Sequence, residues 1–161
     1  MIKCYTLNRT QVINQSIDKV FSFFSKPENL EIITPKYLNF KIITPVPINM
    51  VVGQLIDYKL KIHSVPIKWT SLISHYDPPY SFVDEQVRGP YALWHHTHLF
   101  KEQENGTLIE DQIKYQIPFS IFGKLLNFTF IKRDLENIFN YREKTISRLF
   151  QLKSNENKGI I

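Results

Sequence analysis

Between Gln54 and Ile117 the chain repeats one pattern. Five runs of nine to twelve residues alternate apolar and polar side chains, and each ends at a turn signal. The runs are Gln54 to His63, Ile67 to Tyr76, Tyr80 to Arg88, Tyr91 to Glu102 and Gly106 to Ile117. Ser64-Val65-Pro66, Asp77-Pro78-Pro79, Gly89-Pro90 and Asn105-Gly106 separate them. A period of two sends successive side chains to opposite faces of a strand. Connections this short join only antiparallel neighbours. The clearest run sets Ile56, Tyr58, Leu60 and Ile62 against Asp57, Lys59 and Lys61, as expected of a sheet with one wet side.

Two more strands precede these, giving seven. Lys3 to Asn14 places Tyr5, Leu7, Arg9, Gln11 and Ile13 opposite Cys4, Thr6 and Val12, and Phe40 to Thr44 is closed by Pro45 and Pro47. Between them Ser16 reads as an N-cap, with Asp18 in the first turn and Ile17, Val20, Phe21 and Phe24 on one helical face. Pro27 opens a second short helical piece through Leu30 and Ile33, stopped by Thr34-Pro35. Gly123 to Leu152 is the one long helix, with Leu125, Phe128, Leu135, Ile138, Phe139, Ile146, Leu149 and Phe150 as its apolar stripe. About 25 residues at 1.5 Å each reach about 38 Å, enough to cross a small sheet. A single domain over 1–152 is expected, with 153–161 a frayed polar tail.

A strongly curved sheet crossed by one helix leaves space between the two, and the short helices plug one end of it. The expected class is therefore α+β. A seven-stranded curved antiparallel sheet wraps a long C-terminal helix, with two short helices after the first strand.

The histidines are crowded. Trp94, His96, His98 and Phe100 fall on one face of a strand, His95 and Thr97 on the other. A face that buries aromatics with imidazoles needs a partner both apolar and able to hydrogen-bond, which describes a cavity wall. A loop of Gln103 to Gly106 pairs His98 with Asp111 and Trp94 with Tyr115, whereas a two-residue Asn105-Gly106 turn pairs His98 with Ile113 and His96 with Tyr115. Both registers keep Asp111 and Tyr115 on the histidine face. Three uses stay open for the set: polar lining of a ligand cavity, a structural network, or acid–base catalysis by His96, His98 and Asp111. His96 and His98 can also share an ion with Asp111 as third ligand. Nothing else in the sequence supports one, and no metal or cofactor is assigned. Tyr58, Trp69 and Ser71 lie on strands whose alternation turns them toward the same space. Phe128 and Leu135 approach it from the helix.

Other chemistries are excluded or weakened. The single cysteine, Cys4, rules out a disulfide within the chain and any cysteine zinc site, and is expected to be a small core residue. No phosphate-binding glycine loop or Gly-x-Ser-x-Gly elbow occurs. The opening Met-Ile-Lys-Cys-Tyr lacks the apolar core of a secretory signal, and no run approaches the length of a membrane span. A cytoplasmic location follows as the expectation. Net charge is +5, with 9 basic against 5 acidic residues after position 110. The basic residues alternate with Asp134, Glu136 and Glu143, so the long helix reads as a solvated face. This leaves room for transient contact with a membrane surface but not for integral insertion. Lys59 and Lys61 lack interleaved aromatics, so nucleic acid is not expected as a partner.

Several segments together resemble a known group. They are Ile33-Thr34-Pro35, Trp69 in its strand, Asp77-Pro78-Pro79, Phe82-Val83-Asp84-Glu85-Gln86 and Gly89-Pro90-Tyr91. Trp94-x-His96-x-His98-x-Phe100, Asp111 to Tyr115, Pro118 and Tyr141-Arg142 complete the set. Over about residues 3–150 the chain resembles the START and Bet v 1-like helix-grip superfamily, and within it the bacterial SRPBCC (cyclase/dehydrase-like) ligand-binding proteins. Alternation leaves the inward face of Tyr80 to Arg88 open, and the resemblance turns Phe82, Asp84 and Gln86 inward. It implies a cavity between sheet and helix that binds a small hydrophobic molecule: a lipid, a polyketide-like or an aromatic compound. Its alternative is an aromatase/cyclase- or dehydratase-like enzyme with the His/Asp/Tyr wall moving protons. Binding without catalysis is the preferred expectation. Ligand identity and oligomeric state are not legible.

Overall fold

A computed structural model describes residues 3–118 and 126–156, with the side chains of 126–129 and 152–156 outside the description. Strand β1 (Cys4–Ile13) is followed by helix α1 (Ile17–Phe24), a 3-10 turn (Pro27–Asn29), the one-turn helix α2 (Leu30–Ile33) and a second 3-10 turn (Lys36–Leu38). Six strands come next: β2 (Lys41–Ile42), β3 (Leu55–Ile62), β4 (Val65–Asp77), β5 (Ser81–Arg88), β6 (Leu93–Gln103) and β7 (Gly106–Gln116). Helix α3 (Leu126–Glu156) closes the series. The strands form one antiparallel sheet in the order β1-β7-β6-β5-β4-β3-β2. This is the α+β helix-grip architecture expected.

Local departures have physical reasons. The β3–β4 turn is His63-Ser64, with φ of 47° and 69°, the twist a two-residue hairpin favours. Strand β4 therefore starts earlier than expected and contains Pro66, beyond the last β5 partner of β4 at Thr70. Strand β2 shrinks to two residues. Helix α3 runs to Glu156, since no glycine or proline stands there to stop it. Ser16 holds the N-cap position of α1 with extended backbone but makes no side-chain cap bond. Cys4 is exposed, not in the core. It shares the outward parity of β1 with Thr6, Asn8 and Thr10, while Tyr5, Leu7 and Ile13 turn inward.

Register breaks in the β4–β5 ladder fall between Thr70 and Ser71 and between Ile73 and His75. Bulges of this kind bend a strand and increase its twist, which curls the sheet around α3. Among the described residues the core divides into two clusters. One joins α1, β3, β4, β5, the distal half of β6 and β7, and the later turns of α3 through Phe21, Ile56, Ile73, Phe82, Phe100, Ile109 and Ile146. The other joins Ile113, Tyr115, Leu135 and Phe139. Along β6 and β7 the inward positions between the clusters are polar: His96 and His98 on one strand, Asp111 on the other.

Candidate functional site

The β6–β7 hairpin settles the register. Gln103 pairs with Gly106, so His98 stands opposite Asp111, His96 opposite Ile113 and Trp94 opposite Tyr115. On the other side of β6, Asp84 stands opposite His96 and Phe82 opposite His98. The two histidines are thus held between two carboxylates from neighbouring strands.

His96 and His98 are 4% and 5% exposed and Asp111 is 8% exposed. The imidazole centroids are 3.7 Å apart, and Phe82 stacks on His98 at 4.1 Å. His96 Nε2 lies 3.0 Å from Asp111 Oδ1, and His98 Nε2 lies 3.0 Å from Asp84 Oδ2. His98 Nδ1 is 2.9 Å from Asp111 Oδ1 but off the direction of a good hydrogen bond, and His96 Nδ1 is 3.5 Å from Asp84 Oδ2.

Burial raises the carboxyl pKa of Asp111, but the His96 hydrogen bond and the His98 imidazole close beside it outweigh this and hold the group well below its ordinary value. Asp84 is lowered in the same way: the His98 hydrogen bond and the charges of His96, His98 and Arg142 overcome burial. Both acids are therefore ionised, so each nitrogen facing one at bonding distance donates. Burial pulls His96 down and the neighbouring His98 charge adds to this, leaving it neutral with the hydrogen on Nε2. Burial also opposes His98, but Asp111 and Asp84 outweigh it and raise its pKa.

A fourth charge completes the cluster. The Arg142 guanidinium sits 4.8 Å from the centroid of the Phe139 ring. Its Nε is buried without a hydrogen-bond partner among the described residues. Burial lowers its pKa while Asp111 and Asp84 oppose the shift, and a guanidinium stays charged in a protein. Two carboxylates, one imidazolium and one guanidinium sum to zero, which makes burial of the group tolerable.

This cluster forms one wall of a cavity of about 180 Å³ between α3, the short helices and the sheet. Of the residues expected to line it, Tyr58, Trp69, Ser71, Phe82, Asp84, Trp94, His96, His98 and Leu135 do so. Asp111 does not. It stands behind the histidines, facing Arg9 and Arg142 in a small crevice under α3. Tyr115 is buried behind Tyr91 and Trp94, its ring 5.8 Å from Tyr91 and 6.4 Å from Trp94, and has no cavity surface. Gln86 shares the inward parity of Asp84 but spends its amide on Tyr91, donating to the carbonyl at 2.8 Å and accepting from the N–H at 3.2 Å. The Phe128 side chain lies outside the described residues.

Trp69, Tyr91 and Trp94 pack ring to ring at 4.9 to 5.7 Å beside the polar wall. Trp69 Nε1 donates to Ser71 Oγ at 3.0 Å. Burial, with the charge of Asp84 nearby, pushes the Tyr58 phenol up, so it stays protonated at neutral pH.

Tyr91 and Arg142, which the sequence offered only among the segments that carry the resemblance, also belong to the site. Tyr91 is brought in by the Gln86 bonds across the Gly89-Pro90 loop. Arg142 turns inward, contrary to the solvated reading of the helix charges. Its signal was positional: Leu135, Phe139, Arg142, Ile146 and Phe150 recur every three or four residues, so the guanidinium occupies a place in the apolar stripe.

No family model and no curated protein matches the sequence. Solved structures do match in shape. Protein CV1439 from Chromobacterium violaceum is 14% identical, with a TM-score of 0.68 over 90% of this chain and 96% of that one. The di-domain ARO/CYC StfQ of the steffimycin biosynthetic pathway is 10% identical, with a TM-score of 0.72 over 94% of this chain and 52% of that one. Ginseng major latex-like protein 151 from Panax ginseng is 13% identical, with a TM-score of 0.65 over 91% and 97%. The helix-grip fold is common to all of them and to this chain.

Proposed function

We propose that residues 1–152 form one cytoplasmic domain that binds a small hydrophobic molecule between α3 and the curved sheet. The observation that carries this reading is the cavity itself. About 180 Å³ is retained between α3, the short helices and the sheet, and an apolar cavity of about 150 Å³ is enough to hold benzene. Affinity would come from apolar side chains such as Ile56, Ile73, Leu135 and Phe139, with aromatic contacts from Trp69 and Trp94. Asp84, His96 and His98 give the ligand one polar end to meet, which fixes its orientation. Aromatic and short acyl compounds suit this mixture. The solved neighbours support the fold and, through it, the position of the cavity.

Titration with a panel of aromatic and acyl compounds, followed by tryptophan fluorescence, tests the reading. The expected result is saturable binding that Leu60→Trp abolishes, because Leu60 is a partly exposed cavity residue whose enlargement fills the space without entering the tight core. Saturation by none of the panel, or binding unaffected by Leu60→Trp, would contradict it. Catalysis by the same wall, as in a cyclase or dehydratase, makes a different prediction: His98→Ala would lose turnover while keeping affinity.

A further inference from the structure

The cavity wall also has the construction of a metal site. We propose that Asp84, His96 and His98 bind a first-row divalent cation such as Zn²⁺ or Fe²⁺ on the cavity side of β5 and β6. The proposal is independent of whether an organic molecule occupies the cavity.

Three features carry it. The first is donor spacing. Asp84 Oδ2 lies 3.0 Å from His98 Nε2 and 3.5 Å from His96 Nδ1, and one donor atom from each residue lies within 4.8 Å of the other two. Tetrahedral zinc with bonds of about 2.0–2.1 Å holds its donors about 3.3 Å apart. The Asp84 oxygen therefore already stands at metal-site separation from a nitrogen of each imidazole, and a set of one donor atom from each residue spans no more than 4.8 Å.

The second feature is what lies behind the donors. Metal-bound histidines donate their outer N–H to a carboxylate or carbonyl, which fixes the tautomer and aims the other nitrogen at the metal. Asp111 Oδ1 is 3.0 Å from His96 Nε2 and 2.9 Å from His98 Nδ1. These are the two outer nitrogens: Asp111 accepts the hydrogen bond of His96 Nε2 and lies beside His98 Nδ1, off the direction of a good hydrogen bond, while His96 Nδ1 and His98 Nε2 face Asp84.

The third feature is access. Asp84, His96 and His98 line the cavity and Asp111 does not, so the open coordination positions face the space where a small molecule would lie. Two imidazoles and a carboxylate with open positions suit Zn²⁺ or Fe²⁺ better than Ca²⁺ or Mg²⁺, which favour all-oxygen shells. With both imidazoles neutral, Asp84 and Asp111 outweigh the Arg142 charge by one, and Arg9 and Glu143 of the crevice behind Asp111 offset each other, so the site attracts a cation. The same position is taken by the His98 proton in the metal-free protein, so cation and proton compete for it.

The test uses the full chain, stripped with a chelator and titrated with Co²⁺ and then Zn²⁺ near neutral pH. One Co²⁺ per chain is expected, with visible d–d bands that Zn²⁺ bleaches. Asp84→Asn and His98→Ala should remove the bands. Asp111→Asn should weaken binding by about 10–100-fold, while His63→Ala, at the exposed His63–Asp134 pair, should change nothing. If the inner variants fail to fold by circular dichroism, paramagnetic shifts of the His96 and His98 ring resonances in the wild-type protein decide the matter. Absence of stoichiometric binding at millimolar Co²⁺, bands that survive Asp84→Asn, or bands lost in His63→Ala would overturn the proposal.

Discussion

Asp111 is the residue on which the polar wall depends, and Asp111→Ala measures how much. The carboxylate lies within 3.0 Å of nitrogens on both His96 and His98 and is almost fully buried. Its removal leaves His98 with Asp84 alone, takes the partner from His96 Nε2, and leaves Arg142 facing one carboxylate instead of two. Removing one partner of a buried ion pair costs about 3–5 kcal/mol. Two charges about 4 Å apart at an effective dielectric of 20 give a similar figure, about 4 kcal/mol. Against a domain stability of about 5–15 kcal/mol, the variant should lose a large share of its stability while staying folded in water if the wild type lies in the upper half of that range.

Urea unfolding in the metal-free protein near pH 6 is the appropriate assay, because His98 is charged there. A double-mutant cycle with His98→Leu isolates the interaction. In the His98→Leu background the Asp111→Ala cost should fall by at least about 1 kcal/mol, because much of the single-mutant penalty is the charge left unpaired. A loss below about 1 kcal/mol in the single variant, or perfect additivity in the cycle, would refute the reasoning: the four charges would not then act as one balanced group.

The pair of histidines predicts a stability maximum in the metal-free protein. His98, raised in the fold by Asp111 and Asp84, contributes stability that is complete below about pH 6.5 and lost as pH rises through its folded value. His96, lowered by burial and by His98, contributes stability present above about pH 6.5 and lost as pH falls through its folded value. Urea midpoints measured across this range should fall on both sides, and His98→Phe should remove the alkaline limb; a flat profile would contradict the assignment. At Gly106, φ is +126° and an added Cβ would meet the Ile13 carbonyl oxygen, so Gly106→Ala should cost more than about 1 kcal/mol in chemical unfolding. At Gly89 an added Cβ would meet the Gln86 side chain first. Gly89→Ala should therefore act by displacing the Gln86 amide from Tyr91, costing about 1–3 kcal/mol for two hydrogen bonds, and a second change, Gln86→Ala, should then add little.

The strands were readable because one face of each is wet: Lys59 and Lys61 alternate with Ile56, Tyr58 and Leu60, and parity alone assigns the faces. Parity also placed His96, His98 and Asp111 on one side of the sheet. It could not say which of two inward residues reaches the cavity. That depends on sheet curvature and on neighbouring rings: Tyr91 and Trp94 stand between Tyr115 and the cavity, and the histidines themselves screen Asp111. On β5, Phe82 and Val83 are both buried, so both faces are in use and alternation is silent. Asp84 owes its place to the register against His96, a long-range pairing that no local pattern encodes. Arg142 was hidden for another reason. A charged residue on a helix is read as solvated, yet its spacing from Phe139 and Ile146 places it in the buried stripe.

Binding in the proposed mode seats an apolar molecule between α3 and the sheet, against the Asp84–His96–His98 wall. Chemical-shift mapping with a bound aromatic ligand tests it most directly. Resonances of Ile56, Ile73, Leu135 and the Trp69 and Trp94 indoles should move together and saturate at one ligand per chain, with the His96 and His98 rings shifting in the same titration. Shifts confined to exposed residues such as Val87 and Tyr37, with the cavity methyls and histidine rings unmoved, would contradict the account.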